Sequence, residues 1–237
     1  MEIGGVLGEA WNLQKRFFKE FFLTALVVFA ALDLLSALVA SAVSNGAGAF
    51  WALIALVLGV VGYFWVQAAL VALVQDVRDG RADRTIVETY GAVQPKLGAV
   101  IGAGILAGIG IGIGLVLLII PGLFLLTIWC MLVPVIVLEG RSVGEAFGRS
   151  REVVRGNGWS VFGLIVVTFL LIAVASEVIH IIFSPLPDFL DNWLGGLVAH
   201  SLTVPFTAAV LTTAYFRLTA APAVEPALGV EQPPPTA

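Results

Sequence analysis

The stretch LLIIPGLFLLTIW, residues 117–129, lies inside the longest uncharged run of the chain, which extends over residues 97–138. As one α-helix this run would be about 60 Å long, twice the thickness of the hydrocarbon core of a bilayer. Pro121 and Gly122 lie near its middle, where proline removes a backbone donor and glycine permits a tight turn. The run is therefore predicted to cross a membrane twice, with a hairpin tip at Pro121-Gly122.

The composition is typical of a membrane protein. Of the 237 residues, 59% are hydrophobic and 12% are charged, and the mean hydropathy is +1.04. A typical soluble domain has about 25% charged residues, so this chain has too little polar material to cover a soluble surface. The net charge of −4 and the absence of a basic stripe argue against nucleic acid as a partner. Cys130 is alone, so no internal disulfide is possible.

Six crossings explain where the charges lie. Four further apolar runs each suit one membrane helix: residues 21–43, 50–75, 159–183 and 193–218. With six crossings, all 12 Lys and Arg residues fall on one side or at its edge, whereas the connections on the other side carry only Asp188 and Asp191. By the positive-inside rule, both termini are predicted to be cytoplasmic.

The chain is predicted to be one all-α transmembrane domain over residues 1–218, followed by a disordered tail. Residues 219–237 are rich in proline and have no apolar period, which is typical of a disordered segment. On the predicted topology this tail is cytoplasmic.

Each cytoplasmic segment before a pair of spans has apolar residues at helical spacing, which predicts three amphipathic helices in the membrane interface. Two of them begin with a capping box, Thr85 with Glu88 and Ser142 with Glu145, and Pro95 should end the second. All three segments contain an acid, then an aromatic residue two positions later, then a basic residue. This pattern favours a threefold repeat of interfacial helix plus hairpin, although any interfacial helix needs similar features.

Small residues at four-residue spacing occur within the third predicted span, at Gly104, Gly108 and Gly112. Such spacing lets another helix backbone approach closely. We expect internal helix packing here, with a homo-oligomer interface as the alternative.

Four ionisable residues lie within the predicted spans, where a charge is costly: Asp33, Glu177, His180 and His200. The topology predicts that they converge in the outer half of the membrane. Three interpretations stay open: a polar cluster that locks the helices, a proton or ion path, and a metal site at Glu177, His180 and His200. The usual helical zinc motif His-Glu-x-x-His is missing, and we expect no metal and no other cofactor.

Basic residues form a predicted collar on the cytoplasmic side that would suit anionic lipid head groups or a protein partner. The same residues are also explained by topology alone. The collar comprises Lys15, Arg16, Lys19, Arg149, Arg151 and Arg155.

Residues 120–163 resemble a group of bacterial six-helix membrane proteins that includes the membrane domain found beside some glycerophosphoryl diester phosphodiesterases. The residues that carry the resemblance are Pro121-Gly122, Pro134, Glu139-Gly140, Glu145-Ala146, Arg149-Ser150 and Arg155-Gly156. The resemblance implies a bacterial inner-membrane protein. It does not imply phosphodiesterase activity, because the soluble catalytic domain is not among these residues.

We therefore expect an integral inner-membrane protein that is not an enzyme and has a structural or accessory role, binding lipid or a partner through the basic collar. The alternative is a small proton- or ion-coupled transporter or channel that uses the intramembrane polar residues. A membrane-embedded enzyme acting on lipids is a third hypothesis, but the sequence contains neither Gly-x-Ser-x-Gly nor a P-loop.

Overall fold

The structure is a computed structural model that describes residues 1–43 and 48–220. These residues form helices and no strands. Six helical segments among them are long and apolar enough to cross a membrane, which confirms the predicted number of spans and makes the chain a multi-pass membrane protein. The six spans are Phe18–Ala40, Phe50–Asp79, Ile86–Leu117, Ile119–Glu139, Gly158–Phe183 and Asp188–Thr219.

A short helix begins before or at the start of each pair of spans, so the order of one short helix and two spans occurs three times. The short helices are α1 (Ile3–Arg16), α4 (Ile86–Val93) and α8 (Val143–Val154). The spans are built from α2 (Phe18–Val43), α3 (Gly48–Asp76), α5 (Leu97–Leu117), α6 (Ile119–Trp129), α7 (Leu132–Glu139), α9 (Gly158–Phe183), α10 (Asp188–Leu190) and α11 (Gly196–Thr219).

Both predicted capping boxes are present. The Thr85 amide donates a hydrogen bond to the Glu88 carboxylate at 2.8 Å, and the Ser142 amide donates to the Glu145 carboxylate at 3.0 Å. These contacts satisfy backbone donors that have no partner within the helix. As predicted for Pro95, α4 ends at Val93 and is followed by a short 3₁₀ turn before α5.

The hairpin between the third and fourth spans turns earlier than predicted. Leu118 is extended (φ −156°, ψ 131°) between α5 and α6, so the tip is Leu118 rather than Pro121-Gly122. Pro121 lies in the first turn of α6, where its missing N–H would have had no helical partner. Gly114 and Gly122 permit close contact between the two helices, because a Cβ on Gly114 would lie 2.9 Å from the Gly122 Cα and a Cβ on Gly122 would lie 2.5 Å from the Leu115 side chain.

The fourth span is broken. Helix α6 ends at Trp129 and α7 begins at Leu132, and Pro134 in the first turn of α7 has no N–H to donate back across the break. Helix α7 ends at Glu139 and is followed by Gly140, whose left-handed backbone (φ 69°) suits glycine.

Helix α3 occupies the centre of the bundle. Residues 66–74 are buried on every face, and α3 packs against α2, α4, α5, α7 and α11. A helix that is apolar on all sides is expected in such a position. The predicted first connection is mostly outside the described residues, as is the proline-rich tail beyond residue 220.

Candidate functional site

Contacts made by basic residues bring several helix ends together at one end of the bundle. Arg217 of α11 donates to the Glu9 carboxylate of α1 at 2.8 Å, and Arg78 after α3 stacks on the Phe216 ring at 3.8 Å from its centroid. Arg16 of α1 donates to the Gly80 carbonyl oxygen at 3.2 Å. The ends of α1, α3 and α11 therefore lie together, and we call this region the basic end.

The six residues of the predicted collar fall into two classes. Arg16 donates to the backbone after α3, and Arg149 pairs with Glu139 and Glu152 at 2.8 Å and 3.5 Å. The other four are exposed and form no hydrogen bond or ion pair with the described residues, and we call them the free cations. They are Lys15, Lys19, Arg151 and Arg155.

Glu139 is the centre of a hydrogen-bonded group that joins α7, α8 and α11, here called the Glu139 cluster. Its carboxylate accepts from Arg149 Nε at 2.8 Å, from Arg141 Nε at 3.2 Å and from the Tyr215 hydroxyl at 2.7 Å. The hydrogen bond to Glu139 raises the pKa of the Arg149 guanidinium above its usual value. Charge-assisted hydrogen bonds of this kind are strong, so the cluster fixes the ends of three helices.

Ser150 bridges the break in the fourth span, a role that the sequence analysis missed. Its hydroxyl donates to the Ile128 carbonyl oxygen at 2.7 Å and accepts from the Met131 amide at 3.3 Å. Ser150 and Met131 are fully buried. Both residues of the Arg149-Ser150 pair, which lies within residues 120–163, therefore make contacts that explain their presence structurally.

Two of the four intramembrane ionisable residues are brought together. His200 Nδ1 of α11 lies 3.0 Å from Asp33 Oδ1 of α2, and the Phe29 ring stacks on the imidazole with 5.0 Å between centroids. Asp33 is 7% exposed, and a Cβ on Gly196 would lie 3.5 Å from its carboxylate. This pair links the first and last spans.

The other two residues lie elsewhere. His180 Nδ1 is 3.7 Å from Asp191 Oδ2, in the π-helical turn between α10 and α11. Glu177 is exposed and has no hydrogen bond or ion pair with the described residues. The described residues therefore contain two separate His–Asp pairs and an unpartnered Glu177, and no hydrogen bond or ion pair joins all four of the predicted residues. The described residues contain no group of three or more His, Cys, Asp or Glu that could hold a metal ion.

The glycines of α5 differ in their surroundings. A Cβ on Gly104 would lie 2.0 Å from the Phe64 ring of α3, so α3 and α5 are in close contact there. At Gly108 and Gly112 an added Cβ would meet no atom within 4 Å. The expected internal packing therefore does not extend to these two positions within the described part of one chain.

A groove of about 590 Å³ lies between α1 and the parts of α9 and α11 around residues 171–175 and 202–206. Leu7 and Trp11 line one wall, and Ile172, Ala175 and Phe206 line the other. Pockets that bind small molecules have volumes of about 300–1,000 Å³ and mainly apolar walls. The groove has the size and the lining of a ligand site, and it was not predicted from the sequence.

Two polar side chains of α1 also line this groove. Gln14 donates to the Leu202 carbonyl oxygen at 3.0 Å, but its Oε1 has no hydrogen-bond partner among the described residues. Lys15, a free cation, has its Nζ 6.0 Å from the centroid of the Trp11 ring. A positive charge and an unused acceptor therefore lie beside an apolar space.

Comparison with known proteins gives one match. A family model described as "Domain of unknown function (DUF7847)" matches residues 43–218, which include every span after the first. No curated protein and no solved structure matches the chain. Because the family model covers more than half of the 237 residues, the protein belongs to the DUF7847 family.

Proposed function

We propose that this protein is a non-enzymatic accessory protein of the bacterial inner membrane that binds anionic phospholipid head groups at its basic end. The observation that carries the proposal is the set of four free cations, which are exposed and unpaired among the described residues. Each Lys or Arg near an anionic membrane surface contributes about 1 kcal/mol to binding.

The proposed orientation of the protein in the membrane follows from the distribution of its charged residues. The positive-inside rule favours a cytoplasmic basic end and hence cytoplasmic termini, next to the anionic lipids of that leaflet. The resemblance of residues 120–163 to bacterial inner-membrane proteins supports the same compartment.

We also propose that the protein is not an enzyme, because polar side chains within residues 120–163 are used in contacts between helices. Glu139, Arg149 and Ser150 are polar residues of the stretch 120–163 that carries the family resemblance. All three are engaged in contacts that hold helices together. These contacts explain the presence of the three residues without any role in binding a substrate.

The test measures lipid binding by the purified full chain. Native mass spectrometry would compare phosphatidylglycerol with phosphatidylcholine for the wild type and for Lys15→Gln, Lys19→Gln, Arg151→Gln and Arg155→Gln. We expect each substitution to weaken phosphatidylglycerol binding about fivefold. Lys15→Arg and Lys19→Arg, which keep the positive charge, are the matched controls and should bind phosphatidylglycerol like the wild type. Equal affinity for the two lipids would refute the proposal.

A second candidate function is proton- or ion-coupled transport, and the Asp33–His200 pair favours it. A buried carboxylate and an imidazole at 3.0 Å can exchange a proton within a membrane span. Flux would be measured in liposomes with the wild type and with Asp33→Asn. Glu177→Gln is the control, since Glu177 is exposed and unpartnered among the described residues. An absence of flux in the wild type would exclude this candidate.

A further inference from the structure

The groove between α1, α9 and α11 has features that distinguish it from an ordinary lipid-facing surface. Helices α1, α9 and α11 form its walls together with Phe18 at the start of α2, and each of the four helices contributes an apolar residue to the lining. Trp11 and Phe206, which both line it, pack edge to face with 6.3 Å between ring centroids. An extended apolar chain would be enclosed on more sides here than on the outer surface of a single helix.

The polar groups of the groove point to the chemistry of the ligand. Lys15 supplies a positive charge and forms no ion pair with the described residues, so it suits an anionic group. Gln14 is 6% exposed, and its unused Oε1 is an acceptor that suits a hydroxyl donor. A buried acceptor without a donor is unfavourable, and a ligand hydroxyl would correct this.

We propose that the groove is a binding site for one anionic phospholipid whose head group carries hydroxyl groups, as in phosphatidylglycerol. One acyl chain lies between α1 and α9, the phosphate lies at Lys15, and a head-group hydroxyl donates to Gln14 Oε1. This inference rests on the proposed lipid-binding function and deepens it, because it names a single stoichiometric site in place of a diffuse charged surface.

The central experiment fills part of the groove with a larger side chain and leaves the charged residues unchanged. Ala175 lines the groove, whereas Ala173 is exposed on the same helix outside it. We expect Ala175→Phe to weaken binding of the first phosphatidylglycerol at least about tenfold, because it displaces several methylene groups from apolar contact. Ala173→Phe should bind like the wild type. Binding would be measured by native mass spectrometry of the delipidated full chain titrated with dioleoyl phosphatidylglycerol.

Two further lipids test the polar contacts. Dioleoyl phosphatidylmethanol is anionic but has no head-group hydroxyl, so it should bind more weakly than phosphatidylglycerol to the wild type. Gln14→Met should remove that difference, and Lys15→Gln should weaken both lipids about fivefold. Equal binding of the two anionic lipids by the wild type would overturn the role assigned to Gln14.

The outcomes separate this inference from the function on which it rests. If the charge substitutions weaken binding but Ala175→Phe does not, lipids bind at the basic end and the groove site is refuted. If neither kind of substitution has an effect, the proposed function itself fails. A second readout uses the wild type: at one lipid per protein, brominated acyl chains should quench the part of the fluorescence that Trp11→Phe removes. Unquenched Trp11 emission would also refute the groove site.

Discussion

Replacing Ser150 with alanine tests whether the fourth span depends on a hydroxyl supplied by another helix. Ser150 of α8 connects the two sides of the break between α6 and α7, donating to the Ile128 carbonyl oxygen and accepting from the Met131 amide. Ser150→Ala would remove both contacts and leave space for no more than a small cavity. The Met131 amide is buried and would then have no acceptor.

The expected cost follows from these two contacts. A typical hydrogen bond contributes about 1 kcal/mol, and a buried donor left without a partner costs about 1–3 kcal/mol. The free energy of unfolding should therefore fall by about 2–4 kcal/mol. This is a large effect for the removal of one oxygen atom from a protein of ordinary stability.

The matched control is Ser201→Ala in α11. Ser201 is 1% exposed, but its hydroxyl has no hydrogen-bond partner among the described residues. Its removal should leave stability unchanged or increase it. Unfolding of both variants would be followed by circular dichroism in mixed micelles of mild detergent and sodium dodecyl sulfate. Equal losses for the two serines would show that the bridge across the break contributes nothing.

Three other predictions concern packing, pH and topology. Gly104→Ala should destabilise the protein by about 1–3 kcal/mol because its Cβ would lie 2.0 Å from the Phe64 ring. Gly108→Ala, with no atom within 4 Å of its Cβ, should not destabilise it in the same unfolding assay. Hydrogen bonds from the Ser142 side chain and backbone lower the pKa of Glu145 below its ordinary value of 4.5. The resulting stabilisation is present above pH 4.5 and is lost as the pH falls through the lowered folded-state pKa. The difference in melting temperature between the wild type and Glu145→Gln should shift over that acidic range, and a constant difference would contradict it. Finally, in a Cys130→Ala background, an impermeant thiol reagent added to intact cells should label Asp188→Cys but not Gly148→Cys. Labelling at position 148 would refute the assigned orientation.

Local signals predicted the helix boundaries well, and one of them was ambiguous. The capping boxes of Thr85 with Glu88 and of Ser142 with Glu145 each lie within one helical turn, so both partners are recognised from neighbouring positions in the sequence. Pro121 has two common positions, a tight turn and the first turn of a helix. Nothing nearby distinguishes them, and the turn formed at Leu118 instead.

Contacts between distant helices were harder to predict. Because burying a charge in a membrane is costly, Asp33 and His200 were identified from the sequence as residues that need partners, and the structure pairs them with each other. The same reasoning gave no partner for Glu177, because α9 is apolar around most of its circumference and its sequence does not show which face contacts protein. The partner of Ser150 is a break in another helix, and the groove needs three helices from opposite ends of the chain.

The Glu139 cluster has a consequence for biosynthesis. During translation Glu139 is synthesised before Arg149, and Tyr215 follows only near the end of the described residues. The Glu139 carboxylate can therefore accept the Tyr215 hydrogen bond only after the last span has been synthesised. A chain that stalls before that point retains the Arg141 and Arg149 contacts but lacks the Tyr215 contact that joins α7 to α11. Completion of the cluster therefore requires synthesis of the last span.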